Sequence, residues 1–406
     1  MSYMTKIVLQ LNTVINSGST GRIAEEIGEM SMKVGWDSYI AYGRNERPSA
    51  SKLIRIGNEK DIKLHGLQTR LFDRHGLASK AATSKLIEKI KEIKPNIIHL
   101  HNIHGYYLNY EILFEFLIIA NIPVVWTLHD CWPITGHCSY FSFIGCEKWK
   151  TQCYECPQKT SYPASYFIDR SKKNFTLKKE LFNSLSNLTL VPVSKWLSNI
   201  LSESFLQNYP IKVINNGIDT EAFKPSESIE FRAKYGLEKK ILLLGVATSW
   251  SLRKGLKDYI ELSKELDADC QIVLVGLTKK QIGLLPMNII GIERTESVEK
   301  LANLYSSADI VLNLSYEETF GLTTVEGFAC GTPGIVYNAT ASPELIDSST
   351  GIVVEPGDIA GLIEAINEIK QYGKHYYSEA CVNRAHDLYN KENKYKEYID
   401  LYESLL

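Results

Sequence analysis

"YEETFGLTTVEGFACGTPG", residues 316–334, follows the apolar run "IVLNLS" at 310–315, and the pair decides the fold. The apolar run reads as a strand and "TTVEGFAC" as the first turns of a helix, so residues 320–324 form the turn and the helix N-terminus between them. Backbone N–H groups left unpaired at such a terminus favour anions, phosphate above all. Glu318 and Glu326 stand along this wall with seven residues between them. A carboxylate can accept two hydroxyl hydrogen bonds at once, which suits a sugar diol such as a ribose. Two solvated surface glutamates are the alternative reading at this point.

The same alternation extends in both directions. "KIVLQLN", "DSYIAYG", "NIIHLHN", "PVVWTLHD" and "LTLVPVS" precede it, then "KILLLGVA", "QIVLVGL", and after it "PGIVYN", each separated from the next by amphipathic helical stretches. Strands that are apolar throughout, and alternate with helices, belong to parallel sheets covered on both faces. The expected class is therefore α/β and doubly wound. In such sheets ligands sit beyond the carboxyl ends of the strands, and two such domains facing each other would enclose a cleft.

With 406 residues the chain exceeds what one hydrophobic core usually fills. Two series of strands give domains at 1–211 and 212–385, the joint marked by Gly217, Pro225 and polar residues. The tail from 386 to 406 carries Tyr395, Tyr398, Ile399 and Tyr402 at helical spacing, a face that can pack back on the first domain. Net charge is −2 with both signs interspersed, which argues against a nucleic-acid partner. Neither a secretion leader nor a membrane-length apolar run is legible, so the expected location is the cytosol. "FEFLIIANIPVVW", at 114–126, reads as a helix end and a buried strand.

Five of the eight cysteines fall within an insertion at about 131–160, "CWPITGHCSYFSFIGCEKWKTQCYECP". Cys138, Cys146, Cys153 and Cys156 have spacings compatible with a structural zinc, and Cys153 and Cys156 form a C-x-x-C pair. Free or redox-active thiols are the competing reading. "DAD" at 267–269 ends a helix before the strand "QIVLVG" and reads as an exposed helix end with no ion. The basic stretches "SKLIEKIKEIKP" and "RSKKNFTLKKELF" carry lysines around apolar residues. The first reads as a solvated face, the second as either that or a contact with anionic lipid head groups.

Glu318, Phe320, Gly321, Glu326 and the following "ACGTP" resemble the signature of retaining glycosyltransferases of family 4, which have the GT-B fold of two facing Rossmann-like domains. The resemblance spans nearly the whole chain, because "NSGSTGRIAEEI", "TLHD", "VSKWL", "INNGID", "RKGL" and "GIVVEPGD" occur in the family's order. It implies that Glu326 holds the ribose of a nucleotide-sugar donor, a UDP- or GDP-sugar, and that Glu318 faces the transferred sugar. Lys254 of "RKGL" matches the lysine on the donor pyrophosphate, with the 320–324 loop, Phe320, Gly321, Leu322 and Thr323 included, beside it. Fixed cations and a helix terminus can stabilise a departing diphosphate, so no catalytic metal is expected.

Gly18 and Ser19 stand where the family usually has paired glycines, and a plain turn competes with a phosphate contact there. His129 of "TLHD" matches the histidine beside the donor sugar, while His99, His101 and His104 either bind acceptor or pack. One departure concerns Thr248, where many relatives carry an arginine; Arg253 is the substitute cation. "HDCWPITGHC" resembles the subset that builds bacterial exopolysaccharide and capsule. The implied activity is retaining transfer of a sugar to a glycan on a lipid carrier, on the cytoplasmic side with peripheral membrane contact. A GT-B epimerase or phosphorylase-like enzyme, and a non-catalytic nucleotide-sugar-binding partner in an assembly complex, are the alternatives.

Overall fold

Strands buried on both faces need helices above and below them, and the computed structural model, which describes residues 5–227 and 230–406, has this layering twice. The chain divides into two units, one of residues 1–215 with 392–406 and one of residues 216–391. In the first unit β1 (Ile7–Val14), β2 (Asp37–Arg44), β3 (Lys52–Arg55), β4 (Ile97–Leu100), β5 (Val124–Leu128) and β6 (Leu188–Pro192) are ordered β3-β2-β1-β4-β5-β6. In the second, β7 (Ile241–Val246), β8 (Cys270–Val275), β9 (Ile289–Ile292), β10 (Ile310–Asn313), β11 (Gly334–Tyr337) and β12 (Gly351–Val354) are ordered β12-β11-β10-β7-β8-β9. All pairings are parallel, with Val8 opposite Ile97 and Val311 opposite Leu244 where the winding reverses. That reversal, between β1 and β4 and between β7 and β10, opens a crevice at the carboxyl ends of the strands.

Three strands escape the sequence reading, β3, β9 and β12, and all three lie at sheet edges. These three are covered less, with most of their residues only partly buried, and their apolar runs are short. Central β4 and β5, and β6, whose outer side is bridged by Ile211, are buried at every position and are legible at once.

The closing helix Lys391–Ser404 contributes Tyr395, Tyr398, Ile399, Leu401 and Tyr402 to one core cluster with Val8, Ile27, Trp36, Ile97, Val125 and Val191. It therefore belongs to the first unit. The chain passes between units at 215/216 and 391/392, a few residues beyond the expected 211 and 385. Among the described residues no helix is long and apolar enough to cross a membrane.

Candidate active site

β10 runs directly into Leu314–Gly321, and Gly321, at φ 102°, starts the helix Leu322–Ala329 without a side-chain cap. Only glycine adopts that backbone cheaply, so the turn keeps the helix N-terminus and its N–H groups clear of side chains. Beside it the turn Leu252–Lys254 closes on Gly255, at φ 72°. A Cβ on Gly255 would lie 2.0 Å from the Leu314 carbonyl oxygen, so the two loops are pressed backbone to backbone. Tyr316 N donates to Arg253 O at 2.9 Å, and Arg253 Nη1 donates to Glu317 O at 2.6 Å.

This contact brings Lys254 to Glu318. Lys254 Nζ donates to Glu318 Oε1, which also accepts from Ser315 Oγ at 3.1 Å. Burial pushes the Lys254 ammonium below its ordinary range, and the neighbouring Arg253 charge works the same way against the pull of Glu318. Burial alone would raise the Glu318 carboxyl, but Lys254 and Arg253 outweigh it and hold it below its usual value. Lys254 and Glu318 thus form a salt bridge, with the Arg253 guanidinium nearby. Thr340 Oγ1 accepts from Glu318 N and donates to Glu318 O, both at 2.8 Å, which fixes the backbone at that residue. Glu326, 6% exposed in the second turn of the helix, accepts from Tyr305 Oη at 2.9 Å. Thr248, at the position of the family's arginine, is exposed.

In the first unit the helix Gly18–Lys33 begins immediately after β1, with Gly18 at φ 63° and no side-chain cap. Gly18 and Ser19 are exposed there. The close approach belongs to Gly21, whose Cβ would meet Val14 Cγ2 at 3.0 Å and Asn16 N at 3.2 Å.

His129 and Asp130 follow β5. His129, 9% exposed, shares a 3.1 Å hydrogen bond between its Nε2 and His101 Nδ1, and burial pulls its pKa down to about 4. Asp130 Oδ2 meets His104 Nε2 at 2.8 Å, and Oδ1 accepts from Trp132 N. Although burial opposes it, the His104 contact keeps the Asp130 carboxyl below its ordinary range. His99 is fully buried against Tyr402 Oη and Thr127 Oγ1. Of the four "HLHNIHG" and "TLHD" histidines, His99 and His101 are thus interior groups.

The cysteine reading needs correction. Among the described residues no three His, Cys, Asp or Glu side chains converge as a metal site, so the zinc expected at Cys138, Cys146, Cys153 and Cys156 has no prepared cage. The four line one pocket with His137 and Trp149; Cys138 donates to the Cys156 sulfur, and Cys153 and Cys146 lie close enough to push the Cys138 thiol up as well. That bond draws the Cys156 thiol down to about 7 and pushes Cys138 well up. No disulfide joins any of the eight cysteines. What braces the insertion is instead a buried ion pair, His137 Nδ1 with Asp73 Oδ1 at 2.6 Å, together with Lys178.

Lys178 also revises the reading of "RSKKNFTLKKELF" as a solvated or lipid-facing surface. Its ammonium is buried, donates to Trp132 O and Thr135 O, and lies 3.3 Å from the Trp132 ring centroid. Burial lowers its pKa to about 7. Asp267 and Asp269 of the "DAD" triplet sit beside Lys370, whose Nζ is 2.5 Å from Asp269 Oδ2.

Sequence reasoning missed Tyr305 and Gln10. Tyr305 is a buried tyrosine facing Glu326 from the helix Val298–Ser307, and Gln10 is a fully buried amide on β1. A polar residue inside the apolar run "KIVLQLN" was the available signal for Gln10.

Comparison with known proteins agrees with this geometry. A family model described as Glycosyltransferase Family 4 matches residues 21–222, and one described as Glycosyl transferases group 1 matches residues 238–371. A relative from Escherichia coli K12, named as the colanic acid biosynthesis glycosyl transferase WcaC, is 24% identical over 98% of this chain and 100% of its own. Among solved structures, sucrose-phosphate synthase from Thermosynechococcus elongatus superposes with a TM-score of 0.72 at 18% identity, covering 98% of this chain and 99% of that one. HepE of Anabaena in complex with UDP-glucose gives 0.68 at 17% identity, with 98% and 99% covered. These structures share the fold, which is GT-B.

Proposed function

Because the chain belongs to the family 4 glycosyltransferases and has their GT-B fold, we propose that it moves a sugar, with retention of anomeric configuration, from a nucleoside diphosphate donor to a glycan on a lipid carrier. The observation that carries this reading is the second unit's assembly of an uncapped helix N-terminus, the Lys254–Glu318 ion pair and a buried Glu326 beside one turn.

In this reading the diphosphate lies against the N–H groups of Leu322 and Thr323 and the Lys254 ammonium, with Arg253 as the second cation. Glu326 accepts the ribose hydroxyls. Glu318, released in part from Lys254 as the diphosphate claims that charge, accepts hydroxyls of the transferred sugar. Departure of the diphosphate builds negative charge that these fixed donors stabilise without reorganising. The departing phosphate then takes the acceptor proton on the same face, which preserves configuration and needs no covalent nucleophile. His129 contributes from the first unit as the sugar-facing imidazole, and Gly18 and Ser19 as a backbone contact to phosphate. Relationship to a colanic acid enzyme supports a surface-polysaccharide acceptor, and a lipid-linked acceptor brings peripheral membrane contact with it. UDP-sugars and GDP-sugars are the donors of choice, and one structural neighbour binds UDP-glucose.

The test is thermal stabilisation of the purified chain by a panel of UDP-, GDP- and dTDP-sugars, repeated with Glu326→Ala. One nucleotide class raises the melting temperature of the wild type and leaves the variant unmoved. No stabilisation by any donor would overturn the transferase reading in favour of an assembly partner.

A further inference from the structure

In the first unit the helix Glu59–Phe72 packs through His65, Gly66 and Thr69 and turns Lys60, Lys63, Leu64, Leu67 and Arg70 to solvent. Their helical spacing places them on one outward face, where Leu64 and Leu67 are 55% and 49% exposed. The segment that follows the cysteine-rich insertion is pinned against the end of this helix. Tyr166 N donates to Arg70 O at 2.9 Å, Arg170 N to Asp73 Oδ2 at 2.8 Å, and Asn174 Nδ2 to Asp73 O at 3.0 Å. Although its backbone is held, the segment leaves Tyr166, Phe167 and Ile168 in water, Phe167 at 72% exposure. Large apolar side chains gathered in this way on a surface mark a site of interaction.

The charge around them is one-sided. Each acid of the two stretches already has a partner: Glu59 pairs with Arg55 at 2.6 Å, Asp61 accepts from Asn58 N at 2.9 Å, Asp73 binds His137, and Asp169 accepts from Cys156 N and Ser171 N. Lys60, Lys63 and Arg70 on the helix face are exposed, as are Lys172 and Lys173 on the first turn of the helix Ser171–Phe182, so cations rim the apolar groups on a chain whose net charge is −2. By contrast, the other basic stretch intersperses its lysines with Glu88 and Glu92, and Lys89 is paired with Glu92. The pinned segment also reaches the end of the sheet. Tyr162 Oη is 3.1 Å from His104 Nδ1, and His104 bonds Asp130 just beyond β5. The surface therefore borders the carboxyl ends of the strands, where ligands of such sheets sit.

We propose that this face of the first unit rests on an anionic lipid bilayer, with Leu64, Leu67, Tyr166, Phe167 and Ile168 entering the head-group boundary and the five surrounding cations on lipid phosphates. Lysine and arginine stems are long enough to follow the apolar groups down while their charges stay among the head groups. A two-fold contact between copies of the chain would instead set these cations against their own counterparts, and a nucleic acid would leave Phe167 and the leucines in water. The purpose of the contact rests on the proposed lipid-linked acceptor, whose glycan it would hold beside the sheet end of this unit.

Flotation of the full chain with phosphatidylcholine vesicles, with and without phosphatidylglycerol, tests the contact in the absence of donor and acceptor. The wild type floats with the anionic vesicles, stays behind with the neutral ones, and is released by salt. Phe167→Asp, and the double variant Lys172→Glu with Lys173→Glu, each weaken binding about tenfold or more, with the melting temperature of the wild type because these side chains are exposed. Ile119→Asp, at an 83% exposed position on the helix Tyr110–Ala120 and outside this face, floats as the wild type does. No flotation, flotation untouched by both patch variants, or an equal loss in Ile119→Asp would overturn the proposal. A chain that fails to float and is a dimer in solution, made monomeric by Phe167→Asp, would give the face to a second copy and overturn it as well. The two readings fail separately: a chain stabilised by a nucleotide sugar that ignores vesicles loses only the bilayer contact, and one that floats but binds no donor loses only the transferase reading.

Discussion

The ribose contact proposed for Glu326 would need two oxygens aimed at two hydroxyls, and Tyr305 is the group that orients them. The tyrosine is fully buried and donates to Oε2 at 2.9 Å, so the carboxylate plane is set before any ligand arrives. Tyr305→Phe removes that hydrogen bond and leaves the ring in its packing. Hydrogen bonds to charged groups contribute about 1.5–3 kcal/mol, so donor affinity falls roughly tenfold or more. Titration calorimetry checks this, and an unchanged affinity with an intact fold would remove Glu326 from the ribose. Glu318, Glu326 and Lys254 came forward in the sequence through the resemblance of their motifs to family 4 more than through spacing, and their roles stay proposals. Tyr305 was not legible, since 21 residues separate it from Glu326 and only the packing of one helix on another makes them neighbours. Lys178 was misread for the same reason: its charge pointed to water until the Trp132 and Thr135 carbonyls were seen to capture it.

Among elements, the informative joint is the one between the Leu252–Lys254 turn and the loop leaving β10. Lys254 meets Glu318 because Gly255 lets its backbone touch Leu314. Gly255→Ala meets two obstacles, a left-handed φ of 72° that costs about 1 kcal/mol or more for a residue with a Cβ, and a Cβ 2.0 Å from a carbonyl oxygen. The carbonyl cannot give way without disturbing the end of β10. The variant therefore loses stability in the second unit, and the donor-induced rise in melting temperature shrinks even though every charged residue is retained. A full donor response in Gly255→Ala would show that the turn positions nothing. The elements themselves followed from sequence where burial was complete, as in β4, β5 and β10. Edge strands β3, β9 and β12 were invisible because half-covered residues carry no continuous apolar signal. Similarly, the cysteine spacing of the insertion allowed a zinc cage; the fold gathers the four thiols around one pocket, Cys138 bonding to Cys156, and braces it with Asp73, His137 and Lys178.

For the whole molecule, the distribution of buried histidines predicts which unit acid attacks first. His65, His75, His99, His101 and His129 all lie in the first unit, and burial holds each below the ordinary histidine range, His129 at about 4 and His65 at about 3. In the unfolded chain each titrates near 6.5. Above that pH both states are neutral and the stability is fully present. As pH falls below 6.5 the unfolded state gains protons that the folded state refuses, so each histidine removes up to about 1.4 kcal/mol per pH unit. His137 acts in the opposite sense, because Asp73 outweighs burial and raises its pKa, so its contribution is present in acid and lost at higher pH. One such group offsets only part of five. The second unit contains none of the five. Hydrogen exchange in moderate urea, compared at pH 7 and pH 5, therefore shows peptides of residues 5–215 and 392–406 opening at pH 5 while those of 230–391 remain protected. Equal loss in both units, or earlier loss in the second, would mean that the histidines of the first unit are not held neutral by burial.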